Sequence, residues 1–305
     1  MLVGFLILSQ CENLRKDLES KSIVKVCGAY DSMSAKLVEL YGFDAVWAGS
    51  FAISATHNVP DASILTMTEF FTAASNMAHA CEIPVIADCD TGYGDATNVR
   101  YMVKKYENAG IAGICIEDKT FPKQNSLLEG GNNQLLSEKD FAAKILAANE
   151  AKQNETFTII ARIEALISGI GIEQALQRAY AYEKAGADLI LIHSKKITPE
   201  EIFEFSDSWK GSTPLVVIPT TYYSVNVDEL IEHKIKMVIY ANQTLRAVHF
   251  ALSKLLNEMK DANNMSKLQK QMSSMDDIFK LQEMYDVKSQ EKSIEEKLRK
   301  LGYIS

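Results

Sequence analysis

Two stretches of the chain repeat one another: Tyr106-Glu107-Asn108-Ala109-Gly110-Ile111-Ala112-Gly113-Ile114-Cys115-Ile116-Glu117 and Tyr182-Glu183-Lys184-Ala185-Gly186-Ala187-Asp188-Leu189-Ile190-Leu191-Ile192-His193. Each reads as the end of a helix, a glycine at its C-cap, then a short apolar strand ending in a polar group. Leu40-Tyr41-Gly42-Phe43-Asp44-Ala45-Val46-Trp47 is a weaker third copy. A recurring helix–strand unit implies parallel strands, because consecutive strands joined through a helix run the same way.

Working outward, the short apolar runs bounded by turn signals are Ile23–Cys27, Ala45–Ala48, Val85–Ala87, Gly113–Ile116, Thr158–Ala161, Leu189–Ile192, Leu215–Ile218 and Met237–Tyr240. Helical periodicity fills the spaces between them, over Ala35–Leu40, Met67–Ala80, Ala96–Ala109, Glu138–Ala151, Gly171–Ala185 and Val227–His233. Eight alternating units predict a (β/α)8 TIM barrel, with a doubly wound open sheet as the alternative. The 305 residues allow one such barrel, over 1–260, and leave 261–305 as a C-terminal helical extension. Helical spacing continues through Leu252, Leu255, Leu256 and Met259, and again through Ile278, Leu281, Met284 and Tyr285, stripes that need a partner surface. The chain opens on an apolar run, Met1–Leu8, too short to span a bilayer, and Asn13–Ser20 reads as an exposed helix carrying Leu14 and Leu18.

The net charge of −8 gives no footprint for nucleic acid or an anionic membrane. The five cysteines, Cys11, Cys27, Cys81, Cys89 and Cys115, are odd in number and lack C-x-x-C spacing. They read as buried reduced thiols of a cytoplasmic protein.

In a barrel the chemistry sits at the C-terminal ends of the strands. Strand two leads into a long loop, Trp47–Asp61. Strand three ends in Asp88-Cys89-Asp90-Thr91-Gly92-Tyr93-Gly94, strand four in Glu117-Asp118-Lys119, strand five in Arg162-Ile163-Glu164, strand six in His193-Ser194-Lys195-Lys196 and strand eight in Asn242. Asp88 and Asp90, two apart, should share a strand face, with Glu117 on the next strand. Three carboxylates with no excess of thiols or imidazoles suit a hard cation, Mg²⁺ or Mn²⁺. Arg162 and His193 beside such a cation suit a substrate with two anionic groups. The polar segment Thr120–Gly131 follows as a candidate lid, with Lys123 and Asn125 turned inward on closure.

These motifs, together with Phe121-Pro122-Lys123, Asn125-Ser126 and Ala161-Arg162-Ile163-Glu164-Ala165, resemble the phosphoenolpyruvate mutase and isocitrate lyase superfamily. The likeness runs from about residue 20 to at least 285. Lyases of that superfamily carry a Lys-Lys-Cys-Gly-His lid, which this chain lacks. Asn125 and Lys195 match the mutase branch, where the sister hydrolases tend to have Thr and Arg. The resemblance implies Mg²⁺-dependent interconversion of phosphoenolpyruvate and 3-phosphonopyruvate, an isomerase activity of phosphonate biosynthesis. It implies that Asp88 holds the metal directly, with Asp90 and Glu117 acting through water. Asp61 faces the phosphoryl group, as a nucleophile or an electrostatic guide. Arg162 and His193 position that group, and Lys123, Asn125 and Ser126 close over it. Trp47, Ser50 and Phe51 line the pyruvyl side, although the order Gly49-Ser50 reverses the usual Ser-Gly. The resemblance also implies a homotetramer, a dimer of dimers, with the last barrel helix, near Leu245–Met259, swapped between neighbours. A phosphonopyruvate hydrolase, a related lyase, and a barrel that binds without turnover are the alternatives.

Overall fold

The computed structural model describes residues 2–304, with side chains from residue 10 onward. Eight parallel strands close into a barrel in sequence order. They are β1 (Val24–Ala29), β2 (Ala45–Ala48), β3 (Val85–Asp88), β4 (Gly113–Glu117), β5 (Thr158–Ile163), β6 (Leu189–Ile192), β7 (Leu215–Val217) and β8 (Ile235–Tyr240), and β8 returns to pair with β1. The open-sheet alternative is thereby excluded. Nearly every strand residue is buried, as a sheet covered on both faces requires.

The helices follow their caps. α1 (Leu2–Ser20) precedes the barrel, and α2 (Ser32–Leu40), α3 (Ser50–Thr56) and α4 (Met67–Ala80) flank β2. α5 (Ala96–Asn108), α6 (Glu138–Ala151), α7 (Ala165–Ser168), α8 (Gly171–Lys184), α9 (Glu200–Ser208) and α10 (Val227–Glu232) complete the ring up to β8. Capping boxes start several of them: Asp31 with Ser34, Thr66 with Glu69, Asp95 with Asn98, and Asn226 with Glu229. The glycines of the repeat, Gly42, Gly110 and Gly186, have φ of 78°, 86° and 95°, the left-handed conformation that ends a helix and turns the chain into the next strand.

Two local expectations change. The segment Asn13–Ser20 is not an exposed helix. It belongs to α1, whose Leu14 and Leu18 are buried. Arg15 on the same helix donates to Thr156 O and pairs with Asp188 at 2.6 Å. These groups precede β5 and β6, so α1 packs on the N-terminal end of the barrel. The packing of Met1–Leu8 lies outside the described side chains. The Trp47–Asp61 connection is not all loop, because Ser50–Thr56 forms α3.

The chain divides into two compact units, Met1–Leu245 and Arg246–Ser305. The division falls inside α11 (Gln243–Met259), whereas the sequence reading placed it at 260/261. The second unit continues with α12 (Met275–Leu281) and α13 (Met284–Lys300). There Ser274 caps α12, and Tyr285 donates to Asp276 at 2.6 Å. No helix among the described residues is long and apolar enough to cross a membrane. All five cysteines are free and buried.

Candidate active site

Register decides which side chains meet inside the barrel. Trp47 pairs with Gly28 and Ile86, and Glu117 pairs with Arg162. With a period of two, Trp47, Asp88, Glu117, Arg162 and His193 fall on the inner face, while Asp118 falls on the outer one. The contacts agree. Arg162 Nε lies 3.4 Å from Glu117 Oε2, and Arg162 Nη2 lies 2.8 Å from His193 Nδ1. Asp118 instead meets the covering helix α8, accepting from Arg178 Nη1 at 2.9 Å and Tyr182 OH at 2.8 Å, and its other oxygen accepts from Glu164 N. Asp118 therefore anchors the end of β5 from outside. Replacing it with Ala strands the buried Arg178 guanidinium and should cost about 3–5 kcal/mol of stability, read in a denaturant titration.

The Asp88–Asp90 pair differs from the strand reading. β3 ends at Asp88, and Asp90 sits at φ 50°, so strand alternation does not reach it. The turn is held from two sides: Asp90 O accepts from Glu117 N at 2.8 Å, and Lys144 Nζ on α6 donates to Thr91 O at 2.7 Å. Asp88 Oδ2 accepts from Ser50 Oγ at 2.9 Å, so the serine displaced by the Gly49-Ser50 order touches a proposed metal ligand. Trp47 is buried, whereas Phe51 leaves 41% of its surface exposed, so that ring is not enclosed in the site.

The segment 120–131 folds inward. Its base is pinned by the Lys119–Leu135 bridge and by Thr120 N on Gln134 O. Lys123 Nζ reaches Asp61 Oδ1 at 2.7 Å and Asp90 Oδ1 at 2.9 Å, and Asn125 Nδ2 donates to Asp61 Oδ2 at 2.8 Å. Burial alone would raise the Asp61 carboxyl, but the Lys123 ammonium and Asn125 outweigh it and hold the group below its ordinary value. Burial pushes Asp90 up and takes Glu117 to about 7, against the opposing pull of Lys123 and Arg162 respectively. Glu117 Oε1 is buried without a hydrogen-bond partner. Burial also lowers His193, although Glu164 opposes the shift. His193 Nδ1 lies 2.8 Å from both Arg162 Nη2 and Glu164 Oε1, and it carries a proton when it donates to the carboxylate.

Two participants escaped the sequence reading. Glu164 is fully buried, and its carboxylate accepts from Arg162 Nε, His193 Nδ1 and Ser126 Oγ. Lys119, also fully buried, donates to Ser126 Oγ and Gln124 O, both at 2.8 Å. The signal was present for Glu164, two residues beyond Arg162 at the same strand end.

A family model described as phosphoenolpyruvate phosphomutase matches residues 14–260. This chain belongs to the phosphoenolpyruvate mutase family. It is 40% identical over 276 residues to a phosphonopyruvate hydrolase of Variovorax sp. (strain Pal2), covering 90% of this chain and 95% of the relative. A crystal structure of phosphoenolpyruvate phosphomutase from Streptomyces platensis subsp. rosaceus superimposes with a TM-score of 0.91 at 42% identity, covering 93% of this chain and 98% of that one. A phosphonopyruvate hydrolase solved in complex with oxalate and Mg²⁺ superimposes with a TM-score of 0.87 at 38% identity, covering 92% and 97%. Family membership makes the chain an enzyme of the phosphoenolpyruvate mutase and isocitrate lyase superfamily, and its relatives include both a mutase and a hydrolase.

Proposed function

We propose that this protein is a phosphoenolpyruvate phosphomutase, a divalent-metal-dependent isomerase that interconverts phosphoenolpyruvate and 3-phosphonopyruvate. The observation that carries the reading is the seat of the inward-folded segment: Lys123 and Asn125 occupy the two oxygens of Asp61, with Lys123 only 5% exposed. A transfer within one bound molecule must exclude water, which would otherwise capture the phosphoryl group. An enclosed Asp61 serves that need.

The carboxylate set suits a cation. Glu117 Oε1 lacks a partner, and burial without full compensation has raised Glu117 and Asp90. No group of three His, Cys, Asp or Glu side chains among the described residues forms a direct metal cage. Mg²⁺ does not require one, because it keeps several waters and takes one or two carboxylates. Asp88 would hold the ion directly, with Asp90 and Glu117 acting through its waters. When bound, the ion neutralises the carboxylate and enolate oxygens of the pyruvyl half, making the enolate a better leaving group. The magnesium in the related hydrolase supports a divalent cation in this reading, and Mn²⁺ should substitute. EDTA should abolish turnover, and Mg²⁺ should restore it. At a hundredfold excess over its dissociation constant, Mg²⁺ should stabilise the fold by about 2.7 kcal/mol, read as a rise in Tm.

In the reaction the P–O bond to the enol oxygen breaks and a P–C bond to C3 forms. Arg162 and His193 bind the phosphoryl oxygens and stabilise their charge. Asp61 faces the phosphorus, either as a transient acceptor of the group or as an electrostatic guide. Trp47 and Ser50 bound the pyruvyl side. Because the equilibrium favours the enol phosphate, net flux requires a reaction that consumes phosphonopyruvate, such as its decarboxylation in phosphonate biosynthesis. A hydrolase on the same scaffold is the second reading, favoured by the 40% identical relative. Product analysis from phosphonopyruvate separates the two.

The enzyme works in the cytoplasm as a homotetramer, a dimer of dimers with α11 exchanged between neighbours. Val248, Leu252, Leu256 and Met259 lie along one side of that helix, are exposed in the single chain and supply an apolar face. Sedimentation as a monomer would exclude this assembly.

A further inference from the structure

We infer that Glu164 couples the seating of segment 120–131 to the aim of the Arg162–His193 pair. The inference rests on the reading of that pair as the phosphoryl clamp. Glu164 divides its two oxygens between these tasks. Oε2 accepts from Ser126 Oγ of the folded-in segment at 2.6 Å, while Oε1 accepts from Arg162 Nε and from His193 Nδ1, the latter at 2.8 Å. Its backbone cannot follow the segment, because Glu164 N is held by Asp118 Oδ1 at 2.9 Å and Asp118 is locked by Arg178 and Tyr182. Only the carboxylate's partners can change.

Lifting the segment removes Ser126 and leaves Oε2 bare inside the protein, which is costly for a buried carboxylate. The nearest replacement donors are Lys119 Nζ, 3.9 Å from Oε2, and Arg162 Nη2, which lies 3.3 Å from Ser126 Oγ. If Arg162 turns toward Oε2, it leaves His193. With Arg162 as the replacement donor, the clamp is set when the segment is down and unset when it is up. His193 itself makes no hydrogen bond to 120–131 among the described residues, so any response of its ring to that segment must travel through Glu164 or Arg162.

The test is a mutant cycle with two readouts. Ser126→Ala should lower kcat about tenfold and Glu164→Gln about a hundredfold, with KM changing little. The double variant should lose about a hundredfold rather than a thousandfold, because Ser126 acts through Glu164. Glu164→Asp, which keeps the charge, should recover part of the loss. With ¹⁵N-labelled histidine, Ser126→Ala should shift the His193 ring signals in the Glu164 protein and produce no further shift in the Glu164→Gln background. Multiplicative kinetic losses, or an undiminished ¹⁵N response without Glu164, would overturn the inference. If Glu164→Gln fails to fold, Glu164→Asp carries the same cycle, and its shorter side chain should weaken the coupling. The ¹⁵N arm is independent of product identity, so release of phosphate and pyruvate would count against the mutase reading alone.

Discussion

Replacing Asp61 with Ala should lower turnover of phosphonopyruvate by about 10⁴-fold while leaving oxalate binding in the presence of Mg²⁺ nearly unchanged. The asymmetry follows from position. Asp61 engages Lys123 and Asn125 on the inward-folded segment. Of the metal carboxylates, Asp88 is held from another side by Ser50, and Lys123 keeps its second carboxylate partner, Asp90, when Asp61 is removed. Oxalate mimics the pyruvyl half and carries nothing for Asp61 to meet. Both roles open to Asp61, covalent acceptor or guide, act on the phosphoryl group alone, so the loss belongs in kcat. Stopped turnover assays paired with calorimetric oxalate titration read the two effects separately. Retained turnover would remove Asp61 from the chemistry.

Arg162→Lys should lower kcat by about 10³-fold although the charge is kept. The guanidinium makes contacts in several directions at once: Nε to Glu164, with Glu117 nearby, and Nη2 to His193 and Ser126. An ammonium is a point charge on a flexible stem and cannot hold that planar fork. The retained cation still pairs with the buried carboxylates, so the variant should fold, which makes kcat the informative quantity. A loss of less than tenfold would show that charge alone suffices and that the fork geometry is incidental.

The barrel was legible because its signals are local. The helix-end glycines need positive φ, and each is followed by a short apolar run, so Gly110 and Gly186 mark strand starts without tertiary information. The polar groups that end strands four, five and six, Glu117, Arg162 and His193, were found by the same logic, since strand order and period two place them on one inner face. The reading failed where the backbone leaves the strand. Asp90 adopts a left-handed turn held by Glu117 N and, through Thr91, by Lys144, partners distant in sequence. α1 looked exposed because Leu14 and Leu18 alone do not reveal that the open end of a barrel needs covering. Glu164 and Lys119 were passed over because a charged residue near a strand end gives no sign of burial. Their partners Ser126, His193 and Arg162 come from different loops and strands, and only the closed sheet brings them together.

The central claim is that the phosphoryl group moves between two atoms of one bound pyruvyl unit. The most direct measurement is ³¹P NMR of phosphonopyruvate incubated with the protein and Mg²⁺. Loss of the phosphonate signal with growth of the phosphoenolpyruvate signal is the expected result. Growth of inorganic phosphate together with free pyruvate, and no phosphoenolpyruvate, would contradict it.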